Sequence, residues 1–162
     1  MNEIIINALP KTIEEFMAMP QIDLSLPQNT VAMFLIALDV FTQNRKLGTA
    51  MLNKLKGPIP LNASETAFLV DRIRDKQYLP MVYFVGATPK NNYTPQKPLT
   101  LHVYDDFRES PDEGYIRLFL ETDGADAKRP ITLRQKDDKW YLWEYSSILM
   151  GVRIPAKDDP WM

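Results

Sequence analysis

The side chains that could carry out chemistry in this sequence are few. His102 is the only histidine, and there is no cysteine. Zinc, copper and iron bind mainly through histidine and cysteine, so a transition-metal site here would need carboxylates for all its other ligands. We therefore predict no metal site and no cofactor. The same composition excludes disulfides, thiolate nucleophiles and iron–sulfur clusters.

The motifs that mark well-known catalytic and nucleotide-binding loops do not occur. GxSxG, GxGxxG and GxxxxGK[ST] are all missing from the chain. Two aspartate pairs, Asp105-Asp106 and Asp137-Asp138, fall in predicted turns. Aspartate is favoured in turns because its side chain bonds to nearby backbone groups. These patterns predict no catalytic residue.

Arginine and aromatic residues form the most informative constellation, in the second half of the chain. Arg134 is expected opposite Tyr141, where a guanidinium and a ring can make a cation–π contact. Arg117 and Trp143 belong to the same constellation. Two interpretations stay open: a covered sheet face with stacked arginines, or a recognition surface for a peptide, a carboxylate or an unpaired nucleic-acid strand. The net charge of −2 argues against nucleic acid.

A long loop, GATPKNNYTPQKP, covers residues 86–98. Loops of this length in small domains are usually functional or disordered. Its three prolines restrict the backbone and favour an ordered loop. Asn91 and Asn92 suit tight turns, and Tyr93 is an aromatic anchor that we expect to pack near Arg117 or Arg134. The loop is either a recognition element or an architectural strap over the sheet.

A β-hairpin is the element that must position the arginine and aromatic side chains. Its predicted arms are residues 131–135 and 140–145, joined by the polar turn KDDK. Alternation then buries Trp140 and places Trp143 and Tyr145 on the opposite face. The predicted cross-strand pairs are Gln135/Trp140, Arg134/Tyr141, Leu133/Leu142, Thr132/Trp143 and Ile131/Glu144.

Further strands are predicted from alternating apolar residues over 81–85, 99–104 and 115–122, with an acidic connector over 105–114. Helices are predicted earlier in the chain. Capping patterns place Thr12 before a helix over 13–19 and Asn62 before a helix that ends near Lys76. Asn29 or Thr30 is expected to cap a nearly all-apolar, central helix that ends near residue 44, and a further helix is expected over 46–55.

These elements predict an α+β fold. Helices occupy the first half, residues 1–77, and pack on one face of an antiparallel β-meander of about four strands in residues 78–162. A chain of 162 residues is expected to form a single domain over residues 1–162.

Composition predicts a soluble, cytoplasmic protein. Apolar residues make up 45% and charged residues 25% of the chain, which is ordinary for a globular domain. The N-terminus has no basic leader, and the longest apolar run, residues 31–38, is too short to span a membrane. The expected partner is a protein or a small polar ligand, with no nucleic acid and no membrane; the oligomeric state is left open.

Three blocks of the second half resemble a bacterial domain family of unknown function. They are GATPKNNYTP over 86–95, GYIRLFLETDGAD over 114–126 and RPITLRQKDDKWYLWEYSSILMGVRIP over 129–155. The family pattern reads GATPxNNYTP and RPIxLRxKxxxWYLWE. The resemblance implies a single domain of bacterial origin and brings no activity, ligand or catalytic residue with it.

Two functions are therefore weighed. The first is a non-enzymatic interaction or ligand-binding domain that uses the 86–98 loop and the arginine and aromatic residues. The alternative is an enzyme with an unrecognised polar active site near His102 and that loop. An exposed aromatic patch favours the first, and a concave polar pocket favours the second.

Overall fold

The computed structural model describes residues 1–105 and 112–162. Within that part of the chain the fold is α+β, as predicted, with helices first and an antiparallel sheet afterwards. The acidic connector predicted over 105–114, and with it the Asp105-Asp106 pair, falls largely on residues outside the described ones. The elements are β1 (Asn2–Ile6), α1 (Ile13–Met17), α2 (Pro27–Gln43), α3 (Arg45–Leu55), α4 (Ala63–Ile73), β2 (Leu99–Asp105), β3 (Tyr115–Leu120), β4 (Arg129–Lys136) and β5 (Lys139–Glu144).

The sheet is an antiparallel meander in which the strands lie in chain order from β1 to β5. It has five strands among the described residues, where about four were predicted, because β1 was not foreseen. Three successive isoleucines conceal the alternation of β1. Ile4 and Ile6 are nevertheless buried and Ile5 is exposed, as expected for an edge strand with one face on the core.

The strand predicted over residues 81–85 is wrong. Leu79–Met81 forms a single 3-10 turn, and only Phe84 makes an isolated bridge, with Leu101 of β2. Pro80 lies in the turn and has no N–H to donate to a strand ladder. Most of the segment is nonetheless buried, so its apolar character reflects packing in the core rather than strand formation.

The central helix α2 begins at Pro27, so the predicted caps Asn29 and Thr30 lie inside its first turn. Proline is favoured at the first position of a helix because its missing N–H would be unpaired there. The Thr30 hydroxyl instead donates to the backbone oxygen of Trp140 at 2.8 Å and ties the helix to edge strand β5. All residues from Val31 to Leu38 are buried, which confirms the core position of this helix.

Two predicted caps are confirmed. The backbone N–H of Glu15 donates to the Thr12 hydroxyl at 3.0 Å, and that of Glu65 donates to Oδ1 of Asn62 at 2.8 Å. Helix α4 ends at Ile73, before the predicted Lys76, and Asp75 adopts a left-handed conformation with a φ of 59°.

None of the described helices combines the length and the apolar character that crossing a membrane requires.

The β4–β5 hairpin closes on Asp137 and Asp138, whose φ angles of 51° and 63° belong to a two-residue type I′ turn. Three of the predicted pairs are confirmed: Gln135/Trp140, Arg134/Tyr141 and Leu133/Leu142.

Beyond those pairs a β-bulge shifts the register. Thr132 lies opposite Glu144 instead of Trp143. The extra residue turns Tyr145 into the core, where its ring lies 5.1 Å from that of Phe34. The predicted placement of Tyr145 beside Trp143 is therefore wrong, because the bulge reverses the alternation after Trp143. Trp140 packs against the core but is only half-buried.

Candidate binding surface

A hollow of about 320 Å³ lies where the β4–β5 hairpin meets the turn between α3 and α4. We call it the arginine–aromatic hollow. Strands β4 and β5 supply the residues of one wall, and the turn after α3 supplies the other. The side chains that matter for its chemistry are Lys56, Pro58, Ile59, Arg134, Tyr141 and Trp143.

Arg134 is the polar centre of the hollow. It lies directly opposite Tyr115 of β3 and Tyr141 of β5. Its guanidinium carbon lies 4.6 Å from the ring centroid of Trp143 and 5.4 Å from that of Tyr115. These two rings meet edge to face, with 5.8 Å between their centroids. The guanidinium therefore lies over the rings of Trp143 and Tyr115, not over that of Tyr141 as the strand pairing predicted.

Tyr141 has a supporting role, because the turn after α3 packs against its ring. A Cβ atom built on Gly57 would lie 3.1 Å from Cγ of Tyr141, and the φ of Gly57 is +77°. Only glycine meets both requirements without strain. The half-buried Tyr141 thus fixes the distance between the hairpin and the turn, and leaves Trp143 and Tyr115 to contact Arg134.

The lining of the hollow carries positive charge. It includes Lys56, Arg134 and Lys136 and no acidic residue. Lys56 is paired with Glu65 at 2.7 Å, and Lys136 forms an exposed pair with Asp137 at 3.2 Å. Within residues 1–105 and 112–162, the Arg134 guanidinium makes only the two ring contacts, with no hydrogen bond or ion pair. Arg134 is an exposed residue.

Apolar side chains border this charged centre. Ile59 is 70% exposed and Trp143 is 50% exposed. Both line the same hollow. An exposed isoleucine between two prolines cannot contribute to the core, and adjoining exposed apolar side chains often mark interaction sites.

A partly buried hydrogen-bond group holds Lys56 in the wall of the hollow. The Tyr145 hydroxyl donates to Glu65 at 3.0 Å, and the Lys56 ammonium lies 2.7 Å from the same carboxylate oxygen. Burial alone would raise the pKa of Glu65, but the bonds from Lys56 and Tyr145 outweigh it and lower the pKa below its ordinary value. Burial, with the Glu65 charge, raises the pKa of Tyr145.

The 86–98 loop is ordered by Asn91, whose side chain makes four hydrogen bonds inside the loop. Its Oδ1 accepts from the backbone N–H groups of Thr88 and Thr94 at 2.9 and 3.0 Å. Its Nδ2 donates to the carbonyl oxygens of Gly86 and Thr94 at 2.7 and 3.2 Å. The side chain of Asn91 is thus engaged within its own loop.

The next two residues bind the C-terminal segment. Asn92 accepts from the backbone N–H of Lys157 at 2.7 Å, and the Tyr93 hydroxyl donates to the carbonyl oxygen of Arg153 at 2.6 Å. The ring partner of Tyr93 is Tyr78, at 5.4 Å, in place of the Arg117 or Arg134 side that the sequence suggested. Burial and the neighbouring Tyr78 raise the pKa of Tyr93 to about 12. These contacts favour the architectural interpretation of the loop.

Three other arginines of the second half, Arg117, Arg129 and Arg153, do not line the hollow. Arg129 donates to the carbonyl oxygens of Met150 and Gly151 at 2.8 and 2.7 Å, and Arg153 donates to that of Asp123 at 2.8 Å. Both tie the C-terminal segment to the sheet. Arg117 is exposed on β3, opposite Thr132.

Of the predicted site residues, the structure brings together Arg134, Tyr141 and Trp143. Asn91, Asn92 and Tyr93 lie in the loop that binds the C-terminal segment. Tyr115 and Ile59 were missed. Tyr115 follows from the β3–β4 register, which the sequence does not give, whereas the sequence PIP around Ile59 was a usable signal of an exposed isoleucine.

A second, more polar depression of about 260 Å³ lies beside His102. Glu121, Asp123 and residues 82–87 also line it. Nε2 of His102 lies 3.0 Å from Oε2 of Glu3 in the neighbouring strand β1. In the part of the chain that the structure describes, no three histidine, aspartate or glutamate side chains are grouped so that they could hold a metal ion.

The fold and the hollow define a small α+β domain without a recognised catalytic motif. A family model described as a domain of unknown function (DUF6935) matches residues 8–156, and the chain belongs to this family. The predicted resemblance to a domain family of unknown function is thereby confirmed. The match includes all four helices and β2 to β5, and it begins after β1. No curated protein and no solved structure matches the chain.

Proposed function

We propose that this is a non-enzymatic binding domain whose recognition surface is the arginine–aromatic hollow. One observation carries the proposal: the Arg134 guanidinium lies over two aromatic rings and makes no ion pair or hydrogen bond with any described residue. An arginine that serves only to cover a sheet face gains from bonding to a nearby carboxylate or carbonyl group. Here the charged group is held against two rings and has neither kind of partner among the described residues.

Preorganisation gives this arrangement its value for binding. An arginine side chain loses roughly 2 kcal/mol of conformational free energy when a partner fixes it. Stacking on Trp143 and Tyr115 meets part of that cost before any ligand arrives. Tryptophan, tyrosine and arginine are also the residue types that dominate binding energy at protein interfaces.

The 86–98 loop has a scaffolding role in this proposal. The Asn91 amide forms its hydrogen bonds inside the loop, and Asn92 and Tyr93 bind the C-terminal segment. The loop supports the sheet that carries the hollow and does not itself contact the partner. The proposal places the domain in the cytoplasm, in line with its cysteine-free composition.

An enzymatic function would use the polar depression beside His102, and its concave shape is the observation in favour of it. Such a site would also need polar side chains from the 86–98 loop. Asn91 instead bonds within the loop, and Asn92 bonds to the backbone of Lys157. His102 itself faces Glu3. The hollow therefore carries the stronger case.

Site-specific photo-crosslinking tests the proposal. A photoreactive amino acid replaces Ile59 at the hollow, and a matched variant carries it at Ile5, an exposed isoleucine on β1 at the opposite edge of the sheet. Both variants are expressed in cells of the source organism. The crosslinked partner is identified by mass spectrometry, purified, and measured against the wild-type domain and Trp143→Ala.

The expected result is a partner that crosslinks at position 59 and not at position 5, and whose binding is lost in Trp143→Ala. A partner that crosslinks equally at both positions, or that binds Trp143→Ala as tightly as wild type, contradicts the proposed surface. A substrate turned over by the wild type and not by His102→Gln would establish the enzymatic alternative.

A further inference from the structure

We infer that the partner of the hollow is an acidic peptide segment of another protein. Its carboxylate binds Arg134, and a neighbouring apolar side chain of the same segment packs against Trp143 and Ile59. This inference rests on the proposed function and specifies its ligand. The experiment below separates a failure of the inference from a failure of the proposed function.

Charge complementarity is the first argument. The hollow has three cationic side chains in its lining and no acidic one, although the whole chain has a net charge of −2. Lys56 is compensated by Glu65, and Lys136 by Asp137. Arg134 is the charge that no described carboxylate balances. A bound carboxylate would supply that balance at the centre of the site.

The stacking geometry selects a planar, bidentate acceptor. An aromatic ring over the face of a guanidinium leaves the N–H donors at its edge open to a partner. Parallel pairs of such donors match the two oxygens of a carboxylate. The ring centroids of Trp143 and Tyr115 lie 4.6 and 5.4 Å from the guanidinium carbon and restrict the positions that the Arg134 side chain can take. A lysine at position 134 would keep the charge but lose this fork.

Size and surroundings favour a peptide segment. A hollow of about 320 Å³ is at the small end of ligand pockets, which span roughly 300–1,000 Å³. It can hold a carboxylate and one adjacent side chain. The exposed Ile59 and Trp143 continue the apolar surface beyond Arg134, so a chain that runs across the hollow can use both kinds of contact.

A random peptide library displayed on phage tests the inference. The library is selected on the wild-type domain, and bound phage are counter-selected against Trp143→Ala. One selected peptide is then synthesised with its acidic residues and with the matching amides. Affinities are measured by fluorescence anisotropy for wild type, Arg134→Gln, Arg134→Lys and Arg72→Gln. Arg72 is the matched control, because its guanidinium carbon also lies over an aromatic ring, 5.1 Å from the ring centroid of Phe68.

The inference expects selected peptides enriched in aspartate or glutamate next to an apolar residue. Arg134→Gln should weaken binding about ten- to a hundredfold, the range for a hydrogen-bonded charged pair. The affinity of Arg134→Lys should lie between those of wild type and Arg134→Gln, and the affinity of Arg72→Gln should equal that of wild type. The amide form of the peptide should bind the wild-type domain more weakly by the same factor. It should bind Arg134→Gln no more weakly than it binds wild type.

Three other results overturn the inference. Peptides that depend on Trp143 but not on Arg134 or on acidic residues would leave the proposed function standing and remove the acidic ligand. Free glutamate or benzoate that displaces the peptide at equal concentration would identify a small carboxylic acid as the ligand instead. A selection that yields no peptide dependent on Trp143 would overturn both the inference and the proposed function.

Discussion

The guanidinium carbon of Arg134 lies 4.6 Å from the ring centroid of Trp143, although the two residues are not paired across the hairpin. Arg134 is opposite Tyr141, and Trp143 is the additional residue of the β-bulge between the Leu133/Leu142 and Thr132/Glu144 pairs. A bulge redirects the side chain that it inserts. The contact at the centre of the hollow therefore lies beside an irregularity of the sheet.

A double-mutant cycle measures this contact. Arg134→Ala, Trp143→Ala and the double variant are compared by urea unfolding. Because both side chains are largely exposed, we expect a coupling free energy of only about 0.5–1 kcal/mol. Additive effects of the two substitutions would show that the stacking does not exist in solution.

Packing of the α3–α4 turn on Tyr141 is tested at Gly57. Alanine there should lower stability through the positive φ and through contact with the Tyr141 ring. Gly114→Ala is the matched control, since its φ is +85° and no described atom lies within 4 Å of its Cβ position. We expect Gly57→Ala to shift the thermal midpoint further than Gly114→Ala. Equal shifts would mean that the turn does not press on the ring.

Local signals in the sequence predicted much of this fold. The caps at Thr12 and Asn62 are short-range patterns, and their hydrogen bonds are present. The polar turn at Asp137 and Asp138 fixed the first three hairpin pairs. Each of these features depends on residues within a few positions of one another, so one sequence is enough to predict it.

Features that depend on distant parts of the chain were missed. Strand β1 forms because it pairs with β2, about a hundred residues later, and its own five residues carry no turn signal. The bulge beyond Leu142 has no local signature either. It places Tyr145 in the core. The sequence therefore predicted which residues belong to the candidate site, but not that Arg134 contacts Trp143 and Tyr115 rather than Tyr141.

Asn91→Ala distinguishes a strap from a recognition loop. Loss of its four side-chain bonds should destabilise the domain by about 1–3 kcal/mol, because backbone groups of Gly86, Thr88 and Thr94 each lose a hydrogen bond. Asn92→Ala loses one bond and should cost less. Both variants should bind a selected peptide like wild type at temperatures where they are folded. Loss of binding in a variant with an unchanged melting temperature would show that the loop is part of the recognition surface.

The acid limb of the stability profile should depend on Glu65. Its pKa is lower in the folded state than its ordinary 4.5, so the unfolded state takes up a proton first as the pH falls. The stability that this carboxylate contributes is therefore complete above pH 4.5 and is lost as the pH falls through the folded-state pKa. Urea unfolding of Glu65→Gln should show a shallower decline below pH 4.5 than wild type. Glu14→Gln, an exposed change on α1, should keep the wild-type slope, and a Glu65→Gln profile parallel to wild type would contradict the assignment.

The cap at Asn62 offers a further stability test. Replacement by alanine removes the acceptor for the Glu65 backbone N–H and should cost about 0.5–2 kcal/mol. Asn62→Ser keeps an acceptor and should be almost neutral. The two variants are compared by their midpoints in chemical denaturation. Equal midpoints for wild type and Asn62→Ala would contradict the assignment of Asn62 as the cap.

The most direct test of the hollow as a recognition surface is the indole N–H spectrum. The chain has three tryptophans, so nitrogen-15-labelled protein gives three indole signals that single Trp→Phe variants assign. On titration with a bound acidic peptide, we predict that the Trp143 signal shifts with the binding curve. Trp161, which is 93% exposed near the C-terminus, should not move. A saturating peptide that leaves the Trp143 signal in place, or that shifts Trp161 instead, would contradict the account.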